Sequence, residues 1–201
     1  MRFVDESELG FGWIEEDVMA RTSHAIVADG GVWLVDPVAW DDAERRAGEL
    51  GELRGVIQLL DRHARDSAAI AQRLGIAHHR VPRDRLDDAP FEFLPIAGSR
   101  FWDEVALWWP EERLLVCADA LGTLPYFRSR GERLGLHPFL RLWPPRALRR
   151  VFPERILCGH GRAIEEGAAD ALHESVRTAR RRLLPAVVHG ARRVLAKRKG
   201  R

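Results

Sequence analysis

Short apolar runs, each closed by turn residues, limit how this chain can fold more than any other feature of its sequence. Runs of about four to eight apolar or β-branched residues predict β-strands. The runs are SHAIVA and VWLV, joined at Asp29, Gly30 and Gly31, then VIQLL, IAHHRVP, FEFLPI, EVALWWP, RLLVC and RILC. Segments of helical composition lie between several of these runs, so the sequence predicts an α/β protein with a mixed sheet.

Three segments have helical composition. Residues 41–53 begin with an acidic first turn, and residues 67–75 end at Gly75, a residue suited to closing a helix. Residues 163–184 predict a longer helix, and a further basic helix is expected after Pro185. Residues 122–153 are rich in Pro and Arg and show no strand periodicity, which predicts one long loop.

Length and charge divide the chain into two unequal parts. Its 201 residues are 46% hydrophobic, which suits one domain with its own core and a short appendage. Residues 177–201 hold ten Arg or Lys and no acid, whereas residues 1–176 hold all 30 acids and carry a net charge of −8. The sequence therefore predicts a domain over residues 1–176 and a basic helical tail over residues 177–201.

Several features bear on the cellular location. No stretch approaches the ~20 apolar residues that span a bilayer, and the start, MRFVDESELG, is acidic where a signal peptide would be basic and then apolar. Cys117 and Cys158 each end an apolar run, which predicts reduced strand residues. Among the 32 basic residues only Lys197 and Lys199 are lysines, a bias typical of a high-GC bacterial genome. The expectation is a cytoplasmic bacterial protein without a transmembrane segment.

Candidate functional groups stand where apolar strands end. Asp61 and His63 follow VIQLL, Asp119 follows LLVCA, and His160 follows ILCG. Strand ends on one edge of a sheet can converge, and catalytic groups are often mounted on loops held by such a scaffold. Taken singly, a strand-terminal Asp is also a common turn or cap residue, and a lone His a common structural one.

Together these segments resemble the metallo-β-lactamase superfamily. The order VWLVDP, VIQLLDRHARDS, PIAGSRFWDEVALWWPEERLLVCADAL and RILCGHG follows the strand-end Asp, the HxHxDH loop, the hairpin, the Asp turn and the Gly-His-Gly turn of that family over about residues 20–175. The resemblance implies an αββα sandwich whose metal site lies at one edge. It also implies two zinc or iron ions around a hydroxide that attacks an ester, thioester, amide or phosphodiester.

Residue by residue, the family motif is kept only in part. With DRHARD set on HxHxDH, Asp61 stands at the first His, His63 at the second, Arg65 at the Asp and Asp66 at the last His. Ser99 stands at the His of the hairpin loop. The ligand positions that keep the family residue are His63, Asp119 and His160, and the strand-end Asp is Asp36, which in this superfamily supports the site without binding metal.

Two metal sites are conceivable with these residues. One uses Asp61, His63 and Asp119 with Ser99 as a poor fourth donor, and the other uses Asp66, Asp119 and His160. Carboxylates can replace imidazoles for zinc, manganese or ferrous iron. Arg65, however, stays protonated and repels a divalent cation by several kcal/mol at ~4 to 5 Å. The resemblance therefore implies a metal-dependent hydrolase with at most one ion; no catalytic residue or substrate is assigned.

An alternative without any metal is equally open. Asp66 and Ser67 can cap the following helix, Arg62 can pair with Asp66, and Arg65 can neutralise Asp119 by a charge-assisted bond. The chain would then be a non-catalytic binding protein of the same fold in which Arg65 replaces the metal.

The basic tail suggests possible partners. Residues 177–201 predict non-specific, salt-dependent attraction to nucleic acid, while a solvated helix face or a membrane surface are further alternatives. No aromatic residue accompanies the charges within the tail, so the sequence predicts no base-stacking platform there. A small-molecule ligand of the metal site is the other expected partner.

Overall fold

The apolar runs all form or overlap β-strands in the computed structural model, which describes residues 1–188. The strands are β1 (Arg2–Ser7), β2 (Gly10–Ile14), β3 (Thr22–Ala28), β4 (Gly31–Val35), β5 (Glu52–Gln58), β6 (Ala77–Arg80), β7 (Glu92–Ser99), β8 (Trp102–Trp109), β9 (Leu114–Cys117), β10 (Leu121–Gly122), β11 (Gly135–Leu136) and β12 (Arg155–Cys158). The α-helices are α1 (Asp41–Leu50), α2 (Ser67–Leu74) and α3 (Ala168–Thr178). The first two strands were not predicted, because their sequence does not form a continuous apolar run.

Two mixed sheets carry the fold. The first has six strands in the order β1-β2-β3-β4-β5-β6, antiparallel as far as β4 and parallel from β4 to β6. The second has four strands in the order β12-β9-β8-β7, with β12 and β9 parallel and the other pairs antiparallel. The predicted mixed α/β class is confirmed.

Helices cover the outer faces of both sheets, which makes a four-layer αββα sandwich. Every residue of β4 is buried, because alternate side chains face opposite layers. Leu34 packs in the same cluster as Ala43 and Ala47 of α1, whereas Trp33 and Val35 pack between the sheets. On the far side, α3 covers the second sheet with residues that include Leu172 and Val176.

The first and third helices are shorter than the sequence predicts. The first ends at Leu50, because Glu52 and Leu53 pair with β4 as the start of β5. The third begins at Ala168, since Ile164 forms a bridge with Ile156 of β12. After α3 the chain turns, and residues 183–188 are helical; the remainder of the predicted basic helix, residues 189–201, lies outside the described residues.

The proposed boundary at residue 176 falls inside α3. Ala179, beyond that boundary, is fully buried in the core between α3 and the second sheet. The division into residues 1–176 and 177–201 stays a prediction, and the start of the tail packs with the domain.

The two sheets are joined by backbone contacts at one end of the sandwich. The amide of Thr22 donates to the carbonyl of Gly159, and the amide of Val105 donates to the carbonyl of Leu59. These contacts link β3 to β12 and the end of β5 to β8. They bring the loops that follow β5, β9 and β12 to one edge of the molecule.

The predicted long loop, residues 122–153, is held together by one buried ion pair. Arg141 is completely buried and contacts both carboxylate oxygens of Glu132, at 2.6 and 3.2 Å. The same guanidinium donates to the carbonyls of Phe127 and Leu136. A segment without strand periodicity is thus ordered by charge-assisted hydrogen bonds, which the sequence pattern did not reveal.

Two smaller expectations concern the cysteines and the membrane. Cys117 and Cys158 are free and buried, as predicted. Within residues 1–188, no helix combines the length and the apolar character that crossing a membrane would require.

We expect Arg141→Ala to lower the free energy of unfolding by about 3 kcal/mol or more, because Glu132 would remain buried with only the longer 3.6 Å contact to Arg182 as an ion pair. Arg113→Ala is the matched control, since its pair with Glu154 is exposed and such pairs contribute ~1 kcal/mol or less. Urea unfolding of the three proteins measures both losses, and equal losses would contradict a structural role for the buried pair.

Candidate functional site

Three strand-end residues come together where the sheets join. His63 follows β5, Asp119 follows β9 and His160 follows β12. One potential ligand atom from each lies within 4.8 Å of the others. His160 is buried and the other two are partly buried, so the group sits just beneath the surface.

Asp119 is the centre of this triad. Its Oδ1 atom lies 3.0 Å from Nε2 of His63 and 3.1 Å from Nε2 of His160. The structure therefore aims two imidazole nitrogens at one carboxylate oxygen. Without an ion between them, a proton on each Nε2 is needed to make both contacts hydrogen bonds.

The other nitrogen of each imidazole has its own partner. Nδ1 of His160 donates to the carbonyl of Met19 at 2.8 Å, and Nδ1 of His63 lies 3.4 Å from Oδ2 of Asp36. A proton on Nδ1 leaves the lone pair on Nε2 free to bind a metal. Both rings are thus oriented as metal-ligating histidines usually are.

Asp36 has two tasks in this arrangement. Its Oδ1 accepts from the amide of Leu59 at 2.9 Å, and its Oδ2 faces His63. Its backbone adopts a positive φ of 44°, a strained conformation for a residue other than Gly. Asp36 thereby ties the end of β4 to the chain that leads to His63.

The pKa values of the triad follow from these contacts. Burial alone would lower the pKa of His63, but hydrogen bonds with Asp119 and Asp36 raise it to about 9. Burial would raise the pKa of Asp119, but the hydrogen bonds from His160 and His63 hold it well below its usual range. At neutral pH and without metal, Asp119 is a carboxylate and His63 an imidazolium.

Arg65 lies beside the triad; the residue as a whole is half-buried, and its Nε atom is buried. It donates through Nη1 to the carbonyls of Thr22 and Asp36, both at 2.7 Å, and through Nη2 to the carbonyl of Gly159 at 3.0 Å. Burial lowers the pKa of its guanidinium, and the charges of Asp36 and Asp119 oppose that shift. Arg65 thus interacts with the charge of Asp119 without a hydrogen bond to it, and donates its hydrogen bonds to backbone carbonyls.

The other sequence-derived candidates make local backbone contacts. Oδ1 of Asp61 accepts from the amide of Asp103, and Oδ2 of Asp66 accepts from the amide of Ala39. The hydroxyl of Ser99 accepts from the amide of Trp102 in the hairpin turn. None of the three belongs to the metal-ligating group found in residues 1–188, so their role as ligands stays a prediction.

The expected helix cap is absent. Asp66 occupies the cap position of α2, but its side chain makes no capping bond, because it reaches Ala39 on the preceding loop instead.

Arg62 lies elsewhere than the sequence suggested. In the metal-free alternative it was expected to pair with Asp66, whereas its guanidinium lies 4.4 Å from the ring centre of Trp102. Nη1 donates to the carbonyl of Phe101, and Nη2 lies 3.9 Å from Oδ2 of Asp119. A half-exposed cation therefore stands at the mouth of the site.

Further groups lie around the triad: from the sequence, His137 was expected to pack in the long loop or to reach the site, whereas Glu104 was not expected there. The ring of His137 packs 4.6 Å from Trp102, and its Nε2 lies 3.1 Å from the hydroxyl of Tyr126. Burial raises the pKa of Glu104 to about 8, against the hydrogen bond that the amide of Ala120 donates to it. One signal could have revealed Glu104: it directly begins the apolar run EVALWWP, and of the two acids in β8 it is the buried one, at 0% exposure.

Metallo-β-lactamases are among the solved structures whose backbone is similar to that of this chain. DIM-1 metallo-β-lactamase matches with a TM-score of 0.55 and 14% identity over 89% of this chain and 97% of that one. A metallo-β-lactamase from Pontibacter korlensis matches with a TM-score of 0.60 and 10% identity over 88% and 98%. TMB-1 matches with a TM-score of 0.51 and 13% identity over 89% and 97%.

At these identities the similarity establishes the fold. The chain has the αββα fold of the metallo-β-lactamase superfamily, which confirms the resemblance drawn from its motifs. No protein-family model matches the chain, and no curated protein is significantly similar to it.

The raised pKa of His63 predicts a pH-dependent stability. A group whose pKa is higher in the folded protein stabilises it fully below its unfolded value, here 6.5, and this contribution is lost as pH rises through about 9. We expect metal-free protein to lose stability on the order of 3 kcal/mol from this group between those values. Urea unfolding in chelator at pH 6 and pH 9.5 measures the loss. The decline should be clearly smaller in His63→Gln, and an unchanged decline would contradict the assignment.

Proposed function

We propose that the chain is a metal-dependent hydrolase with a single divalent ion held by His63, Asp119 and His160. The observation that carries the proposal is the approach of three ligand atoms from three strand ends to within 4.8 Å of one another. Two imidazoles and one carboxylate form a donor set that zinc, manganese and ferrous iron all accept.

The residues present fit such an ion. Asp36 and the carbonyl of Met19 hold the Nδ1 protons, so both Nε2 atoms can act as donors. Asp119 carries the negative charge that a cation requires, and its low pKa keeps it ionised.

A second ion is opposed by Arg65. This guanidinium lies beside the triad and remains charged, so a second divalent cation would meet repulsion there. The proposed site is therefore mononuclear, with Arg65 as a permanent counter-charge.

Different residues of the chain would hold the ion, orient a ligand and bind the substrate. A bound divalent ion supplies Lewis acidity toward a carbonyl or phosphoryl oxygen. His63, Asp119 and His160 hold the ion, and Asp36 keeps His63 in the ligating tautomer. Arg62, stacked on Trp102 at the mouth, is placed to bind an anionic or carbonyl group of a small substrate.

A non-catalytic protein of the same fold is the second candidate. One observation favours it: Asp119 already receives two hydrogen bonds from the histidines, and Arg65 already compensates charge within the site. The network is satisfied without metal. The two candidates differ in metal content and in turnover.

We expect at most one tightly bound divalent ion per chain, because the geometry offers three donors for one position. Titration calorimetry with zinc and manganese, and elemental analysis of protein purified without chelator, measure the stoichiometry. His160→Ala should weaken binding at least a hundredfold, since a buried ligand is lost. Asp61→Asn and Asp66→Asn are the matched controls and should leave it unchanged.

Turnover separates the two candidate functions. Metal-loaded protein should hydrolyse members of a panel of activated esters, thioesters and phosphodiesters, and the His160→Ala protein should not. One bound ion without turnover would support the non-catalytic candidate, and two firmly held ions would contradict the mononuclear site.

Arg65→Gln should raise the affinity for zinc or manganese about tenfold, because a positive charge near the triad is removed. It should also lower stability in chelator by about 2 to 4 kcal/mol, since three buried carbonyls lose charge-assisted hydrogen bonds. Arg85→Gln, an exposed arginine paired with Glu92, is the control and should change neither quantity. Unchanged metal affinity in Arg65→Gln would refute its role as a counter-charge.

A further inference from the structure

A basic groove lies away from the triad, between α3 and the loop that follows β11. It has a volume of about 540 Å³, and its walls include Trp143, Arg146, Arg149, Arg177 and Arg180. None of the residues lining it belongs to the triad. We call it the arginine groove.

The local structure explains why the arginines converge. Arg177 lies in the last turn of α3 and Arg180 just beyond it, where the cap residue Ala179 keeps a helical backbone, so these two arginines lie on the same side. Arg146 precedes the 3₁₀ turn Ala147–Arg149 and Arg149 ends it; residues three apart in such a turn are eclipsed. Two arginine pairs therefore line one groove from opposite segments.

The charge of this groove is not compensated within residues 1–188. No acid lines it, and none of its four arginines forms an ion pair with a described carboxylate; Arg180 donates only to the carbonyl of Leu142. Many other arginines do pair, including Arg45, Arg73, Arg113 and Arg162. Four exposed guanidiniums in one concave surface create a strong local attraction for anions.

An aromatic residue stands among these charges. Trp143 is 74% exposed, so its indole is available to a ligand. The sequence predicted no stacking platform beside the basic tail, because Trp143 is remote from Arg177 and Arg180 in the chain. The fold nevertheless places Trp143 in the same groove as these two arginines.

The groove is also extended. A neighbouring groove of about 460 Å³ shares Arg149, Val176 and Arg177 with it and continues to His173. The ring of Phe152, itself exposed, packs 4.6 Å from His173. Together the two adjoining grooves form a surface that is larger than the binding site of a single small anion would be.

From these features we propose that the arginine groove binds single-stranded nucleic acid, with the arginines on phosphates and Trp143 stacked on a base. A positively charged groove with aromatic platforms is the usual design for such binding. A membrane surface fits less well, because the arginines line a concavity and a bilayer needs a projecting apolar face. An acidic peptide would leave the indole without a ring to stack on.

The test uses the full chain and fluorescently labelled single-stranded RNA and DNA 20-mers in anisotropy titrations at several salt concentrations. We expect Arg146→Ala/Arg149→Ala to weaken binding at least tenfold and to reduce the slope of log affinity against log salt by about 1.4, since two phosphate contacts are lost. Trp143→Ala should weaken binding about tenfold without changing that slope, because stacking is not ionic.

The matched control is Arg45→Ala/Arg85→Ala, which removes the same charge from exposed arginines already paired with carboxylates. It should leave the affinity and the salt slope unchanged. Thermal melts of each variant test whether these exposed substitutions preserve the fold, as we expect.

Several outcomes would overturn the proposal. Absence of oligonucleotide binding, or undiminished binding in the Arg146→Ala/Arg149→Ala protein, would remove the groove as the site. Equal affinity of the parent and Trp143→Ala proteins, together with equal binding of heparin, would indicate a general polyanion surface. Preferential binding to phosphatidylserine vesicles over both oligonucleotides would assign the surface to a membrane.

Discussion

The guanidinium of Arg65 holds together the end of the molecule where the site lies. It donates to three backbone carbonyls, on Thr22 at the start of β3, Asp36 after β4 and Gly159 after β12. Those strands belong to both sheets, so one side chain joins the two halves of the sandwich. Buried carbonyls need hydrogen bonds, and Arg65 supplies one to each of these three; Gly159 also accepts one from the amide of Thr22. Asp36 accepts one of these bonds itself, and His160 directly follows Gly159, so Arg65 helps to position both residues.

The electrostatics of the site follow from the same cation. Asp119 is the one carboxylate facing both histidines, and it is surrounded by Arg62, Arg65 and a His63 that is protonated at neutral pH. Cations therefore outnumber anions in the metal-free site. His63 has to release its proton before Nε2 can bind a metal, so any metal affinity competes with a well-formed ion pair. This balance explains why the donors suit an ion and yet are satisfied without one.

The fold was largely predictable from local pattern, and the site only in part. The apolar runs located most of the strands because a strand that packs in the core carries mostly apolar side chains. The strand ends also suggested the neighbourhood of His63, Asp119 and His160. The contacts of Asp61, Asp66 and Arg62 were not predictable, because a polar residue in a loop has several partners within reach and the sequence does not choose among them. For the same reason the sequence did not reveal that Arg141 and Glu132 order the long loop.

By itself, the sequence determined the α/β class, most strands, the free cysteines and the residue types available for chemistry, since hydrophobic periodicity and residue identity are local properties. The tertiary structure alone decided which of those residues meet. It brought His63, Asp119 and His160 to one edge, turned Arg65 toward backbone carbonyls, and set Trp143 among arginines from another part of the chain. These are long-range contacts, and they form only when the two sheets pack and satisfy their buried polar groups together.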